Sequence, residues 1–237
     1  MKTAQGKFEQ KYHHIEAPTI SDGERSKKVG HRTLTLPWQY PDSPKKWRES
    51  ELHYLANNLW AYRRKLDGEN MRVMWDGEKA IWSGKSDDFT CDEETTKMMN
   101  QKFQEEIFEE KFGREKTVLL FGERMGPKCQ GNELGLEEST FVLFDVKIGD
   151  VWLEPKNVVA IAKYFDVPSC YDYMQEGVKP VMEGDGYVDT LTNLIKRVNK
   201  GEFREWEGLV ATPETGLCNR KGERLIVKVK NKDYGAK

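Results

Sequence analysis

Long apolar runs are missing from this chain. No stretch approaches the roughly 18 apolar residues that a membrane-spanning helix requires, and the opening MKTAQGKFEQKYHH has no apolar core of the kind a signal peptide needs. Neither a membrane protein nor an exported one is expected. Cysteine is scarce as well. Cys91, Cys129, Cys170 and Cys218 stand 38 to 48 residues apart without a CxxC, and there are only four histidines to join them. This suggests neither a zinc site nor a disulfide framework; the thiols are expected to be reduced, in a cytoplasmic protein. An excess of either charge is also lacking. Against 38 Lys and Arg stand 40 Asp and Glu, so a net charge of −2 draws the protein to neither nucleic acid nor anionic lipid, and any such attraction must be local. Repeats and low-complexity linkers are absent too, in keeping with one domain.

What remains is an ordinary globular composition: 237 residues, 37% hydrophobic, 33% charged, long enough to bury a core. Residues 1–50 are polar and interrupted by Pro18, Pro37, Pro41 and Pro44, which predicts an irregular segment wrapping the domain, with one short strand around Thr33 to Leu36. Leu52, Leu55 and Leu59 predict a short helix from Glu51. Met71, Val73 and Trp75 alternate with Arg72, Met74 and Asp76, a strand turning at Asp76-Gly77. Met99, Phe103 and Ile107 at four-residue spacing predict one amphipathic helix over Asp92 to Phe112, stopped by Gly113. Apolar runs over Thr117 to Gly122 and Thr140 to Val146, separated by GPKCQGNELG, read as strands. Helices over Pro155 to Phe165 and Val188 to Asn199 follow, then strands over Gly208 to Thr212 and Leu225 to Val229. Strands interleaved with helices around antiparallel sheet make this an α+β chain, read as one domain.

The candidate chemistry lies in short pieces. Lys65-Leu66-Asp67-Gly68 puts an amine at the mouth of a strand beside a carboxylate and a glycine that permits close backbone approach, as an amine nucleophile toward phosphorus requires; alone, such a segment is more often an ordinary charged turn. Such an amine reacts only unprotonated, which calls for desolvation or neighbouring cations. In Leu225-Ile226-Val227-Lys228-Val229-Lys230 the alternation of a strand sends both lysines to one face and both valines to the other, a cationic shelf or else a lysine-guarded edge. Glu207-Gly208 and Gly122-Glu123 each place an acid beside a glycine at the end of an apolar run, where a carboxylate holds a ribose hydroxyl or a hydrated metal, or is a plain surface acid. Phe144, facing opposite to Leu143 and Asp145, is either core or a base-stacking ring.

Taken in order, Lys65-Leu-Asp-Gly, Phe121-Gly-Glu-Arg-Met-Gly, Phe141-Val-Leu-Phe-Asp-Val, Glu207-Gly-Leu-Val and Lys228-Val-Lys resemble the five motifs of the covalent nucleotidyltransferases, the superfamily of ATP-dependent DNA ligases, RNA ligases and capping enzymes. Within it, the stretches Leu120 to Gln130, Phe144 to Gly149 and Lys230 to Tyr234 look most like the small bacteriophage-type RNA ligases. The resemblance runs from about residue 57 to 234. It implies an adenylyltransferase fold on antiparallel sheets without an OB-fold, a single adenylyltransferase domain whose motifs fill 51–237, and ATP-dependent joining of 5′-phosphate and 3′-hydroxyl RNA ends through Lys-AMP, in the cytoplasm of a bacterium or an infected cell. Lys65 would be the nucleophile, with Lys228 and Lys230 neutralising phosphate charge. Arg64, Leu66, Gly68, Asn70, Glu123, Phe144 and Glu207 would line the nucleotide, Asn70 and Glu123 at the ribose and Phe144 at adenine. Asp67 and Glu207 would hold waters of Mg2+ or Mn2+. Arg64 stands where the family often has an acid, and Lys85, taken as an RNA contact, where it usually has arginine. RNA would be gripped by Lys85 and by a group made of Arg220, Lys221, Arg224 and Lys232. The chain stops seven residues after Lys230, so the resemblance leaves room for a partner protein carrying a substrate-binding domain. A DNA nick ligase or capping-type enzyme, and a non-catalytic nucleic-acid-binding domain, stay open beside the RNA ligase.

Overall fold

The computed structural model describes residues 12–19, 26–29, 32–35, 47–48, 50–86, 89–129, 132–174 and 187–234. In chain order the elements are β1 (Ser26–Val29), β2 (Arg32–Thr35), α1 (Ser50–Leu55), β3 (Leu59–Lys65), β4 (Glu69–Trp75), β5 (Ala80–Gly84), α2 (Glu93–Lys102), α3 (Glu105–Phe112), β6 (Val118–Met125), β7 (Thr140–Ile148), β8 (Val151–Trp152), α4 (Pro155–Tyr164), β9 (Val188–Thr190), α5 (Leu191–Asn199), β10 (Gly208–Pro213), β11 (Val227–Lys230) and α6 (Asn231–Tyr234). Contacts within the chain divide it into two compact units, residues 1–13 with 67–173, and residues 14–66 with 174–237. The fold is α+β, with antiparallel sheets and flanking helices. Among the described residues, no helix is long and apolar enough to cross a membrane.

The first unit is a five-stranded antiparallel sheet in the order β5-β4-β6-β7-β8. Alternation sorts its faces. Met71, Val73 and Trp75 of β4 stand opposite Gly122, Leu120 and Val118 of β6, and this side is packed with Met99, Phe108, Val158 and Ile161 from α2, α3 and α4 and with Phe103 between α2 and α3. Trp75 stacks on Phe108 at 5.7 Å, both fully buried; each such ring contributes on the order of 1.5–3 kcal/mol through apolar burial. The other face carries Asn70, Arg72, Phe121 and Glu123.

A β-bulge changes one expectation here. Phe121 pairs with Asp145, but the next residue, Gly122, pairs with Leu143, so Phe144 is the extra residue. Simple alternation would put Leu143 and Asp145 on the same side. The bulge instead leaves Leu143 in the helix-packed core and turns Asp145 to the side of Phe121.

The helix expected over Asp92 to Phe112 is two helices. Asp92 caps α2, its carboxylate accepting from the Thr95 N–H at 2.9 Å. Phe103 then leaves helical geometry (φ −115°, ψ 60°), which inserts its ring among Phe108, Phe141 and Phe165. Tertiary packing of that ring outweighs the continuous helical period. Gly113 stops α3 as expected, at φ +68°.

In the second unit, β11-β10-β3-β9 form a four-stranded antiparallel sheet, with Leu191, Leu194, Ile195 and Val198 of α5 buried. Helix α1 ends at Leu55, and Leu59 begins β3 with its side chain exposed, because Trp60 is fully buried and ties its indole N–H to the Leu55 carbonyl at 2.9 Å. Val188–Thr190, expected in a helix, pairs with β3 instead, and the Thr190 hydroxyl caps α5 by accepting from Asn193 N–H. The last strand begins at Val227, two residues later than expected. The strand expected near Thr33 is β2, paired with β1; Leu36 and most of the expected wrapping segment lie outside the described residues. Within this unit Glu16 bridges Val227, its carbonyl accepting from Lys228 N–H at 3.0 Å.

Candidate functional site

In the second unit, the register of three strands makes a row. Gly208 in the middle strand stands opposite Lys65 of β3 on one side and Lys230 of β11 on the other. A side chain at Gly208 has no room: its φ is +154°, and a Cβ would fall 2.3 Å from the Val229 carbonyl oxygen. Neighbouring strands therefore close in, and Glu207, one residue earlier, reaches both lysines. One of its carboxylate oxygens accepts from Lys65 Nζ and the other from Lys230 Nζ. The three side chains are only 14–23% exposed.

Burial alone would raise the Glu207 carboxyl pKa, but hydrogen bonds from Lys230 and Lys65 outweigh it and hold the group below the usual carboxylate range. Lys228 shares the face of Lys230, with Val227 and Val229 buried behind. Its ammonium is destabilised by burial first and then by Lys230, with Lys65 adding less; Glu16 and Asp233 oppose this without cancelling it, so its pKa falls below the ordinary lysine value. Arg64 turns to the other face. Its guanidinium lies 5.5 Å from the Trp206 ring, and its backbone N–H donates to Met174 Sδ at 3.1 Å. Leu66 is buried.

In the first unit, Asn70 of β4 stands opposite Glu123 of β6. On the opposite face of the same strands, Glu69 and Arg124 are also register partners, and there Arg124, 6% exposed, holds Glu69 at 2.8 Å, Asp92 at 3.1 Å and the Thr95 hydroxyl at 2.8 Å. This ion-pair network fixes the register that sets Asn70 beside Glu123. Gly68 lies flat on β6; a Cβ there would be 2.3 Å from the Arg124 carbonyl oxygen and 2.4 Å from Met125 Sδ. The Asp67 N–H donates to the Glu133 carboxylate at 3.1 Å. Lys85 is exposed, one residue past Gly84, whose ladder row Gly84, Met71, Gly122 marks the sheet end that carries Asn70 and Glu123.

Phe144, half-buried at the bulge, faces Tyr12 at 5.2 Å. Tyr12 also meets Phe121 at 4.8 Å and Trp152 at 5.8 Å, and its hydroxyl donates to the buried Asp145 at 2.9 Å. Sequence reasoning missed Tyr12, Asp145, Trp152 and Glu133. For Asp145 the signal was present, a carboxylate inside an apolar strand. The basic residues nominated together as a grip are not together. Arg220 and Lys221 sit in the turn between β10 and β11, at the end of the ladder remote from Gly208, whereas Lys232 follows Lys230 at the near end.

Antiparallel sheets with flanking helices are the architecture that this chain shares with solved RNA ligases. The RNA ligase family model matches residues 58–230, about three quarters of the chain, and the chain belongs to that family. Among solved structures it is similar to Naegleria gruberi RNA ligase with ATP and manganese (TM-score 0.54, 15% identity, 79% of this chain and 54% of that one). It is similarly related to that protein with AMP and manganese (0.52, 17%, 76% and 52%) and with pyrophosphate (0.51, 18%, 76% and 51%). The chain thus spans about half the length of the solved proteins it matches, and the likeness establishes the fold. No curated protein matches by sequence.

Proposed function

We propose that this chain is an ATP-dependent RNA ligase and that both units serve it as one adenylyltransferase domain. The observation that carries the reading is the clamp at Gly208: a nucleophile candidate, Lys65, fixed by register and by Glu207 next to a second cation, in a chain of the RNA ligase family. Lys65 Nζ attacks the α-phosphorus of ATP, a P–N bond forms, the P–O bond to pyrophosphate breaks, and Lys-AMP results. A 5′-phosphate oxygen of RNA then attacks that phosphorus and Lys65 leaves as the amine. Finally a 3′-hydroxyl attacks the 5′-phosphorus and AMP departs.

Negative charge moves onto phosphate oxygens at each step. Lys228 and Lys230, held rigidly on one strand face, supply the preorganised positive charge that stabilises it. Glu207 keeps Lys65 and Lys230 oriented until phosphates compete for them. Glu123 and Asn70 take the ribose hydroxyls, and Phe144, with Tyr12 braced on Asp145, forms the apolar bed for adenine. Arg64, whose side chain lies over Trp206, lines the nucleotide with Leu66 and Gly68.

Among the described residues no three or more His, Cys, Asp or Glu gather into a ready cage, and both Glu207 oxygens already accept from lysines. Asp67 and Glu207 would each take waters of magnesium or manganese, since magnesium keeps much of its hydration and uses few carboxylates plus phosphate oxygens. When bound, the ion adds neutralising charge on the phosphates. RNA ends are the substrate, with Lys85 as a phosphate contact, and a partner protein supplies further RNA-binding surface. Free cysteines at Cys91, Cys129, Cys170 and Cys218 suit the reducing cytoplasm.

Intact mass after incubation with ATP and magnesium tests the reading. One AMP should be gained by the wild type and none by Lys65→Ala, and the adduct should discharge onto 5′-phosphorylated RNA. An adduct that survives Lys65→Ala, labelling by GTP instead of ATP, or discharge onto DNA alone would overturn it.

A further inference from the structure

The Asp67-Gly68 segment is held from two sides. Gly68 is pressed against β6 with no space for a side chain. On the other side, the Asp67 amide N–H donates to a carboxylate oxygen of Glu133 at 3.1 Å, a charge-assisted bond to a half-buried acid 66 residues away. Glu133 belongs to none of the motifs above, and it sits in the loop that follows Glu123 and Arg124.

The described residues on either side of Glu133 are tied down by hydrogen bonds. Cys129 N–H donates to the Gly126 carbonyl at 3.0 Å, Asn132 N–H to Cys129 at 2.7 Å, and Gly135 N–H to Asn132 at 2.8 Å. The Asn132 side chain exchanges two bonds with the Leu136 backbone, at 2.9 and 3.0 Å. Asn132 itself adopts φ +47°, a left-handed conformation that asparagine tolerates better than most residues. A left-handed asparagine held through its backbone N–H and its side chain immediately before Glu133 fixes the main chain from which that carboxylate extends.

We propose that Glu133 is a positioning residue for self-adenylylation. By anchoring the Asp67 amide it holds the main chain two residues beyond the nucleophile, and with it the Asp67 carboxylate, in one geometry. The inference rests on the ligase reading and adds to it a residue that acts through Asp67 and touches no substrate. Loss of the anchor would leave that segment mobile, and misplacement of a group near the reacting atoms lowers rate more than binding.

Three variants separate this from other roles. Glu133→Ala removes the acceptor, and the kcat of self-adenylylation should fall about tenfold or more, with a smaller change in KM for ATP. Glu133→Gln keeps a carbonyl acceptor of equal reach and should recover most of the rate at an unchanged magnesium requirement. Glu133→Asp keeps the charge but is one methylene shorter, and should not recover it. Independently of activity, amide exchange at Asp67 should accelerate in Glu133→Ala and return toward wild type in Glu133→Gln.

Failure of Glu133→Gln together with a raised magnesium requirement would make Glu133 a metal-site acid and overturn the proposal. A lower melting temperature with unchanged kcat and unchanged Asp67 exchange would make it merely structural, with the same result. No adduct in the wild type would overturn the ligase reading itself, whereas an adduct that forms equally fast in Glu133→Ala overturns only this inference.

Discussion

Glu207→Gln is the perturbation that weighs most heavily on the clamp. The substitution keeps the shape but replaces one oxygen by an NH2 group, which donates where a lysine ammonium also donates. One lysine therefore loses its acceptor, and the other trades a carboxylate for a neutral carbonyl. Hydrogen bonds to charged groups contribute about 1.5–3 kcal/mol. Losing one and weakening the other, in a setting only 14–23% exposed, should cost roughly 2–3 kcal/mol at pH 7 after allowance for solvent screening. For a chain of this size each kcal/mol moves Tm by about 2–4 °C, so a drop of roughly 5–10 °C is expected.

The pH dependence gives a sharper check. The Glu207 carboxyl titrates below its ordinary value of 4.5 in the folded protein. Its stabilisation is therefore complete above that value and is lost as pH falls through the depressed one. Urea unfolding of wild type and Glu207→Gln, followed from pH 7 to pH 3, should show a gap that narrows toward the acid end. Equal stability at pH 7, or a gap as wide at pH 3 as at pH 7, would refute the clamp.

Val229→Ala should lower stability by roughly 1 kcal/mol or more while leaving self-adenylylation nearly intact, because Val229 is fully buried; Lys230→Ala should instead slow adduct formation on the order of a hundredfold, and the reverse pattern would mean that the facing of β11 is misread. Lys228 has a depressed pKa, so the wild type gains stability as pH rises from that value toward 10.5; Lys228→Met should accordingly be the more stable protein at neutral pH, by an advantage that shrinks in alkaline urea melts, and a constant difference would contradict the burial of that ammonium. Lys85→Ala should leave adduct formation normal while slowing the sealing of pre-adenylylated RNA, and sealing should be the more salt-sensitive step, by a log-log slope of about −0.7 per phosphate contact; a defect in the first step would remove Lys85 from the RNA path.

Much of the site was legible because its residues lie in runs whose alternation is local. Lys228 and Lys230 face together for the same reason that Val227 and Val229 are buried, and that follows from strand geometry alone. The Asp76-Gly77 turn and the Gly113 stop are equally local, each glycine adopting positive φ. What escaped depends on distant partners. Tyr12 meets Asp145 across 133 positions, and nothing near either residue announces the other. The break at Phe103 comes from rings contributed by Phe141 and Phe165, which a helical period does not contain. The Glu207 clamp needs the register of three strands, and neither Glu207-Gly208 nor Lys65-Leu66 specifies it.

A pleated strand offers two directions, one for each parity of its residues. The bulge in β7 adds a third. Leu143 serves the core, Phe144 meets the Tyr12 ring, and Asp145 anchors the Tyr12 hydroxyl, three duties in three consecutive letters. A deletion that restored a regular ladder would leave a well-paired strand and keep most of its hydrophobic content, yet it would merge two of those duties into one position. The irregularity therefore carries information that composition cannot: in this stretch, reading frame within the strand matters more than which amino acids it contains.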